Sequence, residues 1–335
     1  MKRKLVLVLA LLAIVGIAAS FAFAQKSPLA GDKKETYYMI TFLSGAEYWQ
    51  GCFLGFQEAA DQLGVTVKYT GTPEYDITKA MTVFDQVVAM KPAGIAVACM
   101  NPEPFIEPIN KAIKAGIKVV TFDTDSPNSN RGTYVSTDNY SAGVSAGKWA
   151  AQKIGGKGAV IYTLRPGQLN LEQRLAGFKA ALEKYPDIKI VANGNGEGDT
   201  AKAATVVGQM LQAHPETNFV FCANGIEMIG AANAVKEANK KIPVLGFDMD
   251  NAILDQIKGD VAWATIAQDT WSMGFWSMMS MYTWKHSLLS PMTAWKSGGF
   301  APLPQYIQTG VALVTKQNTQ EFLMRPKKAA DSWVK

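Results

Sequence analysis

The stretch TYYMITFLSGAEYWQGCFLGFQEAADQLGVTVKYTGTPEYDITKAMTVFDQVVAMKPAGIAVAC (36–99) decides the fold. It opens on an apolar run, TYYMITF (36–42), and passes through helical spacing over Tyr48–Gln62 to a second run, VTVKYT (65–70). It repeats helical spacing over Ile77–Met90 and ends on GIAVAC (94–99). Several runs are apolar on consecutive rather than alternate positions, as in strands buried on both faces of a parallel sheet. Strand and helix in alternation predict βαβ units and an α/β, doubly wound sheet.

The same rhythm continues outward. Further strand-like runs are IKVVTF (117–122), GTYVS (132–136), GAVIYTL (158–164), IKIVAN (188–193), NFVFCA (218–223) and IPVLGF (242–247), with helical patterns over Ser141–Ile154, Leu171–Lys184 and Ala201–Ala213. A single sheet typically holds about 4–6 strands, so the runs predict two sheets in two lobes, with the break at Thr137-Asp138-Asn139. After Asp269 a Trp- and Met-rich helix spans Trp271–Trp284; its apolar residues recur all around, which predicts a buried core helix. A Gly/Pro-rich stretch (Ser297 to Pro304) and a last strand, TGVALV (309–314), follow. The expected lobes are 25–137 plus 273–303, and 138–272 plus 304–335. No sequence identity between the halves is evident.

Residues 1–24, MKRKLVLVLALLAIVGIAASFAFA, read as an export signal. Lys2, Arg3 and Lys4 precede an apolar run, and Ala22-Phe23-Ala24 offers small residues at the −3 and −1 positions, so cleavage after Ala24 and a periplasmic destination are expected. The rival reading is an uncleaved anchor, since the apolar run is long enough to span a bilayer. Removing three of the 33 basic residues and none of the 28 acidic ones lowers the formal charge from +5 to +2. That leaves no electrostatic footprint for nucleic acid. Cys52, Cys99 and Cys222 include no CxxC pair, and buried free thiols are expected.

In open α/β sheets ligands bind beyond the carboxyl ends of the strands. The residues there are Glu47, Tyr48 and Trp49 after the first run, Asp123 and Asp125 after IKVVTF, Arg165 after GAVIYTL with Asn170 and Arg174 entering the next helix, Asn224 after NFVFCA, Asp248 and Asp250 after IPVLGF, and Gln268 after AWATIA (262–267). Carboxylates, amides and a guanidinium beside aromatic rings suit a polyhydroxylated ring: carboxylates accept hydroxyl protons, arginine donates in a planar fork, amides do both. Three or four charge-assisted hydrogen bonds of about 1.5–3 kcal/mol each are sufficient for micromolar binding, about −8 kcal/mol. An aspartate at a strand end is also an ordinary helix N-cap, so the inference rests on the set. Enzyme signals are poor. Gly143-Val144-Ser145-Ala146-Gly147 matches GxSxG, but Ser145 lies inside a helical pattern rather than on a strand-to-helix turn. No cofactor or metal motif occurs, and no catalytic residue is expected.

The segments TFDTDSP (121–127), YVSTDNYSAGVSAGKWAA (134–151), NLEQRLAGFKAAL (170–182), GFDMD (246–250) and VAWATIAQD (261–269) resemble the ribose/galactose-type periplasmic binding proteins, the type I solute receptors of sugar ABC transporters. The resemblance covers roughly 36–316. It implies two Rossmann-like lobes joined by three hinge crossings, near Asp138, Gln268–Met273 and Pro304–Thr309. It implies ligand contacts at Tyr48, Trp49, Asp123, Arg174, Asn224, Asp248 and Gln268. The chain departs from ribose receptors at Ala46 and Thr124, while Glu47 and Asp125 add carboxylate character; the Asp-Thr-Asp-Ser-Pro pattern (123–127) resembles that of receptors for xylose, glucose or inositol.

The expected function is an exported receptor that binds a pentose, hexose or inositol between its lobes and delivers it to a membrane ABC permease, as a monomer and without catalysis. The alternatives are an exported esterase using Ser145 and a ligand sensor for a chemoreceptor or sensor kinase. A repressor-type regulator is disfavoured, because the export signal stands where a DNA-binding segment would be.

Overall fold

The first apolar run forms β1 (Thr36–Thr41), and the second forms β2 (Thr66–Gly71), paired parallel from Thr36↔Thr66 to Thr41↔Gly71. Between them α1 (Tyr48–Leu63) ends at Gly64, whose φ of +71° is the left-handed cap conformation that suits glycine. The structure is a computed structural model that describes residues 29–288 and 303–322; the segment 1–24 expected to be an export signal, most of the Gly/Pro-rich stretch and residues 323–335 lie outside them.

The first lobe continues through α2 (Ile77–Ala89), β3 (Gly94–Val97), α3 (Ile106–Lys114), β4 (Lys118–Phe122) and β5 (Tyr134–Thr137). The second holds α4 (Asn139–Lys153), β6 (Lys157–Thr163), α5 (Leu169–Leu182), β7 (Asp187–Gly194), α6 (Thr200–Ala213), β8 (Thr217–Cys222), α7 (Gly225–Glu237), β9 (Val244–Phe247), α8 (Asn251–Lys258) and β10 (Ala264–Gln268). Then α9 (Thr270–Lys285) returns to pack on α1, followed by β11 (Tyr306–Thr309) and β12 (Val311–Thr315). The sheets run β11-β5-β4-β3-β1-β2 and β12-β10-β9-β8-β6-β7. These are the same order strand for strand, and only the β10–β12 pair is antiparallel. Each lobe has its own apolar core on both sheet faces, such as Phe42, Trp49 and Phe122 in one and Phe178, Phe221 and Phe247 in the other.

Two expectations are corrected. The final strand is not one run: Tyr306–Thr309 joins the first sheet beside β5, the chain crosses at Gly310, and Val311–Thr315 joins the second sheet. Residues 306–309 therefore belong to the first lobe, where the Tyr306 ring stacks on Tyr134 at 5.3 Å. The Trp/Met helix is not buried all around. Met273, Met278, Met281 and Tyr282 face the core, whereas Trp271 and Trp276 are exposed. The three cysteines are free and buried.

The first two crossings are built alike. Asp138 caps α4 by accepting from the Ser141 amide (2.9 Å) and hydroxyl (2.7 Å). Asp269 caps α9 by accepting from the Ser272 amide (2.9 Å) and hydroxyl (2.6 Å). Two residues beyond each serine, a glycine lets the helix touch a neighbouring backbone. A Cβ on Gly143 would lie 2.0 Å from the Arg174 carbonyl oxygen, and one on Gly274 would lie 1.7 Å from that of Cys52. The GxSxG match thus packs helix on helix, and the Ser145 hydroxyl donates to the Ser141 carbonyl at 3.0 Å. Gly274→Ala forces α9 away from α1, and a loss of about 1–3 kcal/mol is expected, measured as a lower denaturant midpoint at unchanged slope.

Candidate functional site

Two aspartates set the geometry. Asp123 follows β4 and Asp248 follows β9, the equivalent strands of the two sheets, and both adopt positive φ, +57° and +75°. Few residues other than glycine sit there, with Asp and Asn the best tolerated. The turn aims each carboxylate out of its strand end into the gap between the lobes. The Asp123 carbonyl is held by the Tyr134 hydroxyl (2.6 Å) and the Ser136 hydroxyl (3.0 Å), and the Asp248 carbonyl by Thr265 (2.8 Å). The Tyr48 hydroxyl donates to Asp123 Oδ1 at 2.7 Å. Gln268 Nε2 donates to Asp248 Oδ1 at 2.7 Å, and the Gly225 amide donates to Asp248 Oδ2 at 3.1 Å.

Arg174, 2% exposed, anchors the second lobe's side of the gap. Its Nε donates to Asn139 Oδ1 (2.8 Å), Nη1 to the Ala223 carbonyl (3.0 Å) and Nη2 to Gln268 Oε1 (2.7 Å), while its plane lies 4.0 Å from the centre of the Phe247 ring. The guanidinium thereby orients Gln268, which orients Asp248. Asn224, which caps α7 through the Glu227 amide (2.8 Å), and Asn170 complete the polar wall.

These groups surround one cleft at the strand ends of the two sheets. Of the predicted residues, Tyr48, Trp49, Asp123, Asn170, Arg174, Asn224, Asp248 and Gln268 line it. Two do not. Asp125 is 5% exposed and turned inward, paired with Arg131 through Oδ1 and Oδ2 and accepting from the Thr121 hydroxyl (2.6 Å) and the Ser126 amide (2.8 Å). Its acceptors are consumed within the first lobe, so it holds the 123–131 loop. Glu47 sits at the cleft's edge and accepts from the Asn251 backbone amide (3.0 Å) and side-chain amide of the opposite lobe. The lining also includes Asp250, which follows the same strand end as Asp248, and Phe42, Tyr75 and Gln168, absent from the predicted set. Tyr75 follows the end of β2, and the strand-end rule applied there would have found it.

The lobes touch across the opening. The Arg165 guanidinium stacks 4.0 Å from the centre of the Tyr75 ring, Asn101 Nδ2 donates to the Gly167 carbonyl (3.2 Å), and Glu47 holds Asn251. Gly198, at φ +68°, leaves room for Tyr75; a Cβ there would lie 2.6 Å from the ring.

Burial shapes the acids. It pushes the Asp123 carboxyl up to about 6, against the opposing pull of the Tyr48 hydrogen bond and Arg174, with Asp248 adding to the rise. Burial, then Asp248 and Glu47, pushes Asp250 up to about 8. An acid whose folded pKa exceeds its unfolded value binds extra proton when folded, so its cost is absent at acid pH and grows as pH rises to the folded value. Asp250→Asn removes that cost. Because Glu47 of the opposite lobe shares in the rise, the cost falls on the closed form, and the ligand-free variant is expected to hold a larger closed fraction than the unsubstituted protein, by a margin that widens from pH 5 to pH 8 and then levels, as small-angle scattering across pH will measure.

Among the described residues no group of three or more His, Cys, Asp and Glu is placed to hold a metal, and no helix is long and apolar enough to cross a membrane. His214 faces Glu216 and His286 faces Glu35, and neither lines the cleft.

Two α/β lobes with equivalent sheets, closed on a cleft at their strand ends, define a hinged ligand receptor. The chain belongs to the periplasmic binding protein family: the model of that domain matches residues 37–284. It is 28% identical to the D-allose-binding periplasmic protein of Escherichia coli over 284 residues, 80% of this chain and 88% of that one. A sugar-binding protein of a sugar ABC transporter from Bacillus halodurans superposes with a TM-score of 0.81 at 38% identity, covering 86% of this chain and all of that one. AraP, an arabinose-binding protein from Geobacillus stearothermophilus, superposes at 0.78 with 39% identity, over 86% and 99% of the two chains.

Proposed function

We propose that the chain is the sugar-binding component of an ABC importer, holding a monosaccharide or cyclitol between its lobes and presenting it to a membrane permease. The observation that carries this is the convergence of Asp123, Asn170, Arg174, Asn224, Asp248 and Gln268, drawn from over a hundred positions of sequence, around a single cleft with aromatic walls. Phe42, Tyr48, Trp49 and Tyr75 supply flat apolar surfaces for the C–H faces of a ring, while the polar set supplies acceptors and donors for its hydroxyls. The names of the relatives, binders of allose, arabinose and ribose, support the same reading.

Closure follows from differential contact. A sugar touching Asp123 and Tyr48 on one lobe and Asn224 and Asp248 on the other gains its full contact set only when the lobes meet, and only that difference shifts the population to the closed form. The leader is removed after Ala24, the mature chain works in the periplasm as a monomer without a nucleic-acid partner, and it releases its sugar unaltered. Isothermal titration of the ligand-stripped mature chain with L-arabinose, D-ribose, D-allose, D-xylose, D-galactose and myo-inositol tests this. Micromolar or tighter binding of at least one is expected; silence across the panel overturns the proposal.

A further inference from the structure

Among the described residues six helices begin after an Asp or Asn in the N-cap position, and five of those side chains cap. Asp76, Asp138, Asp199, Asn224 and Asp269 each accept from the amide three residues on, at 2.7–3.0 Å. Asp250 occupies the same position at the start of α8 and makes no such bond. Its carboxylate instead lines the cleft and receives no hydrogen bond from any described residue. The amide three residues on, that of Ile253, donates to the Asp250 carbonyl at 2.9 Å, and the helix's first amide is held from the other lobe, where Glu47, 204 residues away in sequence, accepts from the backbone and side-chain amides of Asn251.

Resting on the sugar-receptor reading above, we propose that Asp250 is a specificity-determining residue, turned to face the bound sugar because Glu47 caps its helix across the closed cleft. The neighbouring groups are already engaged. Arg174 uses Nε and both terminal nitrogens within the protein, Asp248 accepts on both oxygens, and Asp123 accepts from Tyr48. Asp250 therefore brings two uncommitted acceptor oxygens, and the chemistry that satisfies them is a hydroxyl, or an adjacent pair, on the edge of the ring nearest α8. Burial beside Asp248 and Glu47 makes an ionised Asp250 unfavourable until such donors arrive. A sugar lacking them leaves a buried acceptor unpaired, which is how a polar site rejects a deoxy analogue more strongly than an apolar one.

Glu47 makes the device conditional on closure. With the lobes apart, Asp250 is free to cap its own helix as the other five do. As they close, Glu47 takes over a helix amide and the Asp250 carboxylate turns to the ligand. Glu47 thus positions Asp250 rather than touching the sugar.

The test is titration calorimetry with the monodeoxy derivatives of the tightest-binding sugar of the panel, on the unsubstituted chain, Asp250→Asn and Glu47→Ala. Asparagine is as good a cap as aspartate, so Asp250→Asn keeps α8, and its melting temperature reports that the fold is intact. One monodeoxy derivative is expected to bind about 100-fold more weakly than the parent sugar to the unsubstituted chain. Asp250→Asn is expected to shrink that ratio to below about tenfold while the ratios for the other derivatives hold. Glu47→Ala is expected to weaken the whole panel and to erode the same single ratio. Unchanged ratios in Asp250→Asn, or a uniform fall for every derivative, overturn the assignment while leaving the receptor reading intact. No binding of any sugar by the unsubstituted chain overturns both.

Discussion

Replacing Arg174 by alanine is expected to abolish sugar binding and to lower the melting temperature of the ligand-free protein by about 6–20 °C. The guanidinium is almost fully buried and makes three hydrogen bonds, to Asn139, Gln268 and the Ala223 carbonyl, over the face of Phe247. Its removal strands those partners in a dry site, a loss of roughly 3–5 kcal/mol for a buried charged network. For a domain of this size each kcal/mol moves the midpoint by about 2–4 °C. Binding fails for a linked reason: without Nη2 on Gln268 Oε1, Gln268 no longer holds Asp248 Oδ1. Arg174→Lys is expected to rescue little, because an ammonium on a flexible stem cannot reproduce a planar fork with three donors in fixed directions. Differential scanning and titration calorimetry on both variants check this.

Asp123→Asn is expected to separate the two effects. Asparagine tolerates the positive φ of +57° and still accepts the Tyr48 hydroxyl through its one oxygen. Stability should therefore change little. The second carboxylate oxygen becomes an amide donor, so a charge-assisted acceptor for a sugar hydroxyl is lost, about 1.5–3 kcal/mol or a 10- to 150-fold weaker Kd. A large fall in stability with unchanged affinity would mean that Asp123 serves the fold rather than the ligand.

The strands were legible because parallel strands buried on both faces leave consecutive apolar runs, and the site was legible because such sheets put their chemistry at strand ends. What the sequence did not separate was Asp123 from Asp125, two carboxylates with only Thr124 between them. The difference lies in the turn: positive φ at Asp123 sends that side chain to the cleft, and Arg131, six residues downstream of Asp125, captures the other. Glu47 was equally hidden, since its partner, Asn251, is 204 residues away and is met only across closed lobes. The break at Gly310 was masked by TGVALV, apolar throughout and so readable as one strand. The matching build of the first two crossings did leave a trace. DNYSAG (138–143) and DTWSMG (269–274) share Asp, Ser and Gly at the same spacing, each opening a helix at a crossing. Asp and Ser cap, and Gly admits a neighbouring backbone, so both crossings use the same three residues at the same spacing.

The most direct measurement is a crystal structure of the mature chain grown with the tightest-binding sugar of the panel. The expected result is density for one ring between Trp49 and Tyr75 on one lobe and Asn224 and Asp248 on the other, with Asp123 and Asp250 within hydrogen-bond distance of its hydroxyls. A sugar seated elsewhere, or a cleft in which these carboxylates face bulk water on separated surfaces while the sugar is bound, would contradict it.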